Sequence, residues 1–208
     1  MKRLLSHKYI VLFLGLLIII GFELRYLDSI NIIETNSKDT FQNYMDQVDF
    51  IFEDLQCFPI VKEGEIYPVN YSNNWGAERT YGGNRTHEGC DLIAVTNERG
   101  RYKVCSMTAG IVKNIGWLEQ GGWRIGIESD SGIYYYYAHL DSYEKAFEKG
   151  ERVEAGQILG RMGDSGYGKE PGTKGKFDVH LHVGIYLKDL SGNERAVNPY
   201  WFLKQLEI

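Results

Sequence analysis

The chain has little cysteine, little histidine and no excess of positive charge, and it carries no internal repeat or low-complexity segment. Its 208 residues include three cysteines and five histidines, and the formal net charge is −5 at pH 7. So sparse and odd a cysteine count excludes a disulfide framework as the main support of the fold. Cys57 stands apart, whereas Cys90 and Cys105 flank an apparent hairpin that turns near residues 97–100. We read both as small buried apolar residues, the alternative being a cross-strand disulfide. Lys2, Arg3 and Lys8 precede every acidic residue, and taking those three charges from −5 leaves −8 for the chain from Glu23 onward. Such a surface repels phosphate backbones, which excludes nucleic acid as an expected partner.

A long apolar run is missing too. Tyr9–Phe22 is uncharged, but its fourteen residues fall short of the roughly 17–25 that a bilayer span takes. Lys8 can snorkel, and Leu24, Tyr26 and Leu27 can extend the segment into the far interface. No small-x-small cleavage site follows it, and the positive charge lies on its amino-terminal side. The expectation is a cytoplasmic tail over 1–8 and an uncleaved transmembrane anchor over 9–27, which holds the rest outside the cell as a single-pass membrane protein. A cleaved signal peptide and a buried soluble helix are the other readings. Residues 28–57 then form a helical stalk. Phe41, Tyr44, Val48, Phe52 and Leu55, spaced by three and four, draw one apolar stripe down a helix. That stripe can pair with a membrane or cell-wall protein, fold back onto the domain, or serve as a spacer.

What is abundant is glycine, and it is concentrated. Of the 24 glycines, 22 lie between Gly64 and Gly192. That interval reads as short strands between tight turns, with candidates at residues 90–95, 102–107, 110–117, 123–128, 132–139, 157–161 and 179–187. Helix is expected only near residues 142–148 and 199–206. Strands in succession with few helices predict a mainly β, antiparallel domain over residues 58–208, with its core at 68–201.

Four of the five histidines fall in three short clusters within that domain: His87-Glu-Gly-Cys-Asp91, Tyr137-Ala-His139 and His180-Leu-His182. His180 and His182, two apart in an expected strand, leave the same face. Gly89 makes a helix an unsuitable carrier for His87 and Asp91, and a turn into the following strand would let both reach one metal. His87-Glu88 is not the start of a His-Glu-x-x-His site, because position 91 is Asp. Alternation puts Tyr135, Tyr137 and His139 together on one groove-like wall, and Asp178 on the face of His180 and His182, where it can fix an imidazole or remain a solvated loop carboxylate. Arg79 and Asn84 stand upstream, either as groove-entrance residues or as surface residues without a role. The inventory suits a catalytic zinc with three protein ligands and one open position.

These motifs in this order resemble the zinc peptidases of the lysostaphin and LytM type, peptidase family M23. Gly89-Cys-Asp-Leu92, Ala109-Gly-Ile-Val112, Gly156-Gln-Ile-Leu-Gly160 and Gly163-Asp-Ser-Gly166 carry the likeness further, over about two thirds of the chain. The resemblance implies a compact β domain with an open groove and one zinc per chain. It implies zinc ligation by His87, Asp91 and His182, catalytic roles for His139 and His180, and hydrolysis of peptide bonds in bacterial peptidoglycan. A non-catalytic cell-wall-binding or assembly module on the same fold, such as one in a sporulation channel, is the alternative. The stretch from Tyr167 to Asp178 is longer than the approach usual in that family, and it is expected to border the groove.

Overall fold

The computed structural model describes residues 38–207. The expected tail, anchor and first part of the stalk, residues 1–37, lie outside the described residues. Among those described, no helix is long and apolar enough to cross a membrane.

Helix α1 covers residues 38–54. The apolar stripe read from the sequence divides along it. Phe41, Tyr44 and Phe52 are exposed, whereas Ile51, which the three-four spacing passes over, is fully buried. Phe52 rests at 4.9 Å from Phe202, and Gln47 accepts a hydrogen bond from the Lys188 amide through Oε1. Asp46 begins the compact unit that holds the rest of the chain.

Twelve strands follow in chain order. They are β1 (Val69–Asn70), β2 (Glu78–Arg79), β3 (Arg85–Thr86), β4 (Cys90–Ala94), β5 (Lys103–Cys105), β6 (Gly110–Leu118), β7 (Gly122–Ser129), β8 (Tyr134–Tyr143), β9 (Arg152–Val153), β10 (Ile158–Met162), β11 (His180–Lys188) and β12 (Glu194–Val197), with helix α2 (Tyr200–Leu206) at the end. The large sheet runs β1-β4-β11-β8-β7-β6-β9, with β12 beside β11 and β10 bridging β8 to β5; β2 and β3 form a separate small ribbon. The pairings are antiparallel. The expected mainly β antiparallel domain is therefore present, and each of the seven expected strands overlaps an observed one.

Period-two alternation explains the core. Leu181, Val183 and Ile185 of β11, Tyr135 and Tyr137 of β8, and Ile125 and Ile127 of β7 are all fully buried on one face of the sheet. Tight turns set the register; Gly132, at φ 82°, closes β7 to β8 by donating its amide to the Ser129 carbonyl. The helix expected near residues 142–148 does not form. Strand β8 continues through Ser142 and Tyr143 because β10 pairs with both, and the Tyr143 hydroxyl is fixed on the Arg124 carbonyl at 2.8 Å. The three cysteines are unpaired thiols. Cys90 and Cys105 are buried as expected, while Cys57 is half-buried.

Candidate functional site

Opposite the core, the other face of the sheet floors a groove of about 660 Å³. The register delivers the clustered residues to it. Asp91 of β4 pairs directly with His182 of β11, and His182 pairs with Ala138 of β8. His87 arrives from the turn before β4, held by its amide on the Ala77 carbonyl at 2.9 Å. Three donor atoms then converge. His87 Nε2 lies 2.9 Å from His182 Nδ1 and 3.0 Å from Asp91 Oδ1, and His182 Nδ1 lies 2.9 Å from Asp91 Oδ1.

Proton counting shows what this triangle suits. His87 Nδ1 is 3.1 Å from the Asn74 carbonyl, which accepts only from an N–H, so Nε2 presents a lone pair. Asp91 Oδ1 is also an acceptor. His182 Nδ1 can bring one proton at most to three electron-rich atoms, and a cation satisfies all three. The spacing is within a few tenths of an ångström of the edge of a tetrahedron with zinc bonds of about 2.0–2.1 Å, roughly 3.3 Å. Asp91's second oxygen accepts from Arg79 Nη2 at 2.7 Å and from Asn74 Nδ2 at 3.4 Å, which aims Oδ1 at the two imidazoles. Burial by itself would raise the Asp91 carboxyl, but the facing His182 and His87 imidazoles outweigh it and hold the group far below the usual carboxylate range. Burial also pushes the His182 imidazole down.

Gly89 makes the approach possible. A Cβ on it would strike the His182 imidazole at Cε1, come within 2.5 Å of Nε2, and meet the Val183 carbonyl oxygen at 2.6 Å. Any side chain at position 89 would therefore displace a member of the triangle.

The other two clustered histidines stand beside it. The His139 and His180 rings have centroids 4.6 Å apart, and His180 Nε2 is 3.8 Å from Asp91 Oδ1. Each anchors its Nδ1 on a backbone carbonyl: His139 on Ser165 at 2.7 Å and His180 on Asp178 at 2.8 Å. Both therefore present an unprotonated Nε2. Burial depresses both imidazoles, His139 most strongly. Phe177 packs against both rings, at 4.7 and 5.0 Å, and Tyr167 stacks on Tyr81 at 4.4 Å. The long segment 167–178 thus borders the groove, as expected from the sequence.

One expectation about faces is overturned, and of the two readings of Asp178 the loop carboxylate holds. Tyr135 and Tyr137 are not a groove wall; they are core, and Tyr134, Tyr136 and Ala138 line the groove. His139 joins the groove side because β8 bulges there. Ile125 pairs with Tyr137 and Trp123 with Leu140, so Ala138 and His139 together oppose Arg124, and His139 takes φ 64°. Asp178 does not use its carboxylate on an imidazole. Its Oδ1 accepts from Asn97 Nδ2 at 3.0 Å, and its main-chain carbonyl is what holds His180. Arg79 is more than a groove-entrance residue, being Asp91's ion-pair partner, while Asn84 is exposed and is not part of the lining. Asn74, Ser165 and Phe177 escaped the sequence reading. Asn74 and Ser165 orient histidines through backbone carbonyls, which no side-chain pattern signals, and Phe177 sits in a loop without periodicity.

Comparison with known proteins follows the same lines. The family model described as peptidase family M23 matches residues 85–199. The L-Ala–D-Glu endopeptidase of Bacillus subtilis is 44% identical over 138 residues, 66% of this chain and 40% of that protein. Lysostaphin of Staphylococcus simulans is 33% identical over 103 residues, 49% of this chain and 19% of its own length. The chain thus spans less than half the length of these relatives. A crystal structure from Ruminococcus gnavus, assigned as a glycyl-glycine endopeptidase LytM, is 52% identical with a TM-score of 0.67, covering 74% of this chain and 61% of that one.

Proposed function

The chain belongs to peptidase family M23, and on that footing we propose that it is a membrane-anchored zinc endopeptidase that hydrolyses peptide bonds of bacterial peptidoglycan. The observation that carries the reading is the triangle of His87 Nε2, Asp91 Oδ1 and His182 Nδ1, 2.9–3.0 Å on each side, with two further imidazoles at its edge. In this reading the triangle holds one zinc. When bound there, zinc supplies Lewis acidity and lowers the pKa of water from about 15.7 toward 7.

The remaining steps fall to the chain's own side chains. His180, 3.8 Å from the carboxylate oxygen in the triangle, takes the proton from the attacking water at Nε2, because its Nδ1–H is already held by the Asp178 carbonyl. His139, fixed by the Ser165 carbonyl, turns its Nε2 into the same space. Unprotonated there, it accepts a hydrogen bond from the attacking water, and the proton that His180 has taken passes to the departing amine. Phe177 covers both rings and limits the access of bulk water. The anchor, residues 9–27, would keep the domain at the outer face of the membrane, next to its substrate.

The test is release of peptides from purified peptidoglycan by the full chain, with and without zinc, beside His180→Ala. Zinc-dependent release that the variant loses is expected. Tight zinc binding with no release from cell walls of any cross-link chemistry would replace the peptidase by a cell-wall-binding module.

A further inference from the structure

The activities named for the relatives divide by charge. A glycyl-glycine bond offers no side chain, whereas an L-Ala–D-Glu bond carries a carboxylate beside it. One groove residue not used by the chemistry above bears on this division. Arg124 of β7 lies on the groove side of the sheet, since its neighbours Ile125 and Ile127 point into the core. Its Nη1 is fully buried and has no hydrogen-bond partner among the described residues. Arg124 is half-buried in the groove lining, and a guanidinium without an acceptor of its own is stabilised when a carboxylate arrives in that groove.

No described residue fills that role. The ion pairs among the described residues include none with Arg124, although the carboxylates Glu88 and Glu194 line the same groove. Arg85, the other cation in that part of the lining, has its Nε on the Tyr81 carbonyl at 3.3 Å.

Register places Arg124 in line with the triangle. Asp91 pairs with His182, His182 with Ala138, the Ala138–His139 bulge opposes Arg124, and Arg124 pairs with Gly116. Arg124 is therefore two strands from His182, about 10 Å at the usual strand spacing. Ala138, one of the two bulge residues between them, is small. An extended peptide advances roughly 3.3–3.6 Å per residue. With the guanidinium and a substrate side chain both reaching into the gap, they meet at the residue flanking the cleaved bond or at the next one.

We infer that Arg124 is the specificity-determining residue of this groove, reading a free carboxylate within two residues of the scissile bond, so that the substrate is an acidic stem peptide of the L-Ala–D-Glu kind and not a glycine bridge. This rests on the peptidase reading above, and the experiment separates the two.

The probes are end-blocked hexapeptides containing L-Ala–D-Glu or the neutral L-Ala–D-Gln, made in a cleavable form and in a form whose alanyl amide is N-methylated to resist cleavage. Binding of the N-methylated pair to the zinc-loaded full chain is measured by calorimetry, and cleavage of the other pair by mass analysis. The wild type is expected to bind the acidic peptide about 10- to 100-fold more tightly than the amide. Arg124→Gln should abolish that preference, and Arg124→Lys should keep part of it, since it retains the charge but loses the fork. Equal binding of the two peptides by the wild type, or a preference undiminished in both variants, overturns the assignment of Arg124. Failure of the wild type to cleave either peptide or any cell wall overturns the peptidase reading instead, and the binding ratio still decides on Arg124.

Discussion

Replacing Gly89 by alanine is the sharpest perturbation of the triangle that leaves every donor residue in place. The added methyl would overlap the His182 imidazole and lie 2.6 Å from the Val183 carbonyl oxygen, where carbon and oxygen normally keep more than 3 Å. The ring can turn, but the carbonyl belongs to β11, which is held on one side by β4 and on the other by β8. Relief therefore needs β11 to shift by roughly half an ångström or more, an overpacking cost of about 1–3 kcal/mol. Metal distances tolerate only about 0.2 Å, and disturbance of groups supporting a ligand typically costs 10–100-fold in affinity. Gly89→Ala should accordingly lose zinc affinity by at least tenfold, measured by competition with a chromophoric chelator. Its metal-free melting temperature should fall by a few degrees while the protein remains folded. Zinc affinity within twofold of wild type, with an unchanged melt, would show that the close approach of Gly89 to His182 does not set the site.

Two further predictions concern other parts of the domain. Burial would raise the Asp164 carboxyl, but two hydrogen bonds from Arg99, at 2.5 and 2.8 Å, and one from the Gly175 amide hold it below its ordinary 3.8. A depressed carboxylate stabilises the fold above pH 3.8 and loses that contribution as pH falls through the lower folded value. Asp164→Asn should thus cost about 1.5–3 kcal/mol at pH 7, towards the lower end because Arg99 is half in solvent, and the gap from wild type should close on acidification in urea denaturation. A gap that persists at pH 2 would refute the electrostatic account. The Cys57 thiol is lowered to about 7, chiefly by a hydrogen bond from Cys105, whereas burial pushes Cys90 up to about 12. Labelling of the native chain with a disulfide reagent should therefore modify Cys57 first, at a rate rising through pH 7. Equal reaction of Cys90 at pH 8 would contradict this.

How much of the site was legible depended on the regularity of the strand that carries it. His180 and His182 share a face because β11 is an unbroken ladder, and a period of two is all that is needed to see it. The same rule misplaced Tyr135 and Tyr137 by grouping them with His139, because one bulge reverses the parity of every residue beyond it. A positive φ at His139 carries no signal in composition, since glycine is the residue that advertises such a conformation. Gly89 was legible as a helix breaker but not as the space into which His182 fits. Along α1 the three-four spacing gave a helix and placed Val48 and Leu55 against the core, but it passed over Ile51, which the domain buries completely. The segment 167–178 was visible as an unusually long connection; that it brings Phe177 onto two histidines follows from tertiary tethers such as Lys174 to Asp141 and Gly175 to Asp164.

The most direct test is anomalous diffraction at the zinc edge from crystals of the full chain grown with one equivalent of zinc. One peak is expected, about 2.0–2.2 Å from His87 Nε2, Asp91 Oδ1 and His182 Nδ1, with His139 and His180 outside bonding distance. A peak bonded to His139 or His180 in place of one of those three atoms, or no peak in the groove, would contradict the assignment on which the proposed chemistry depends.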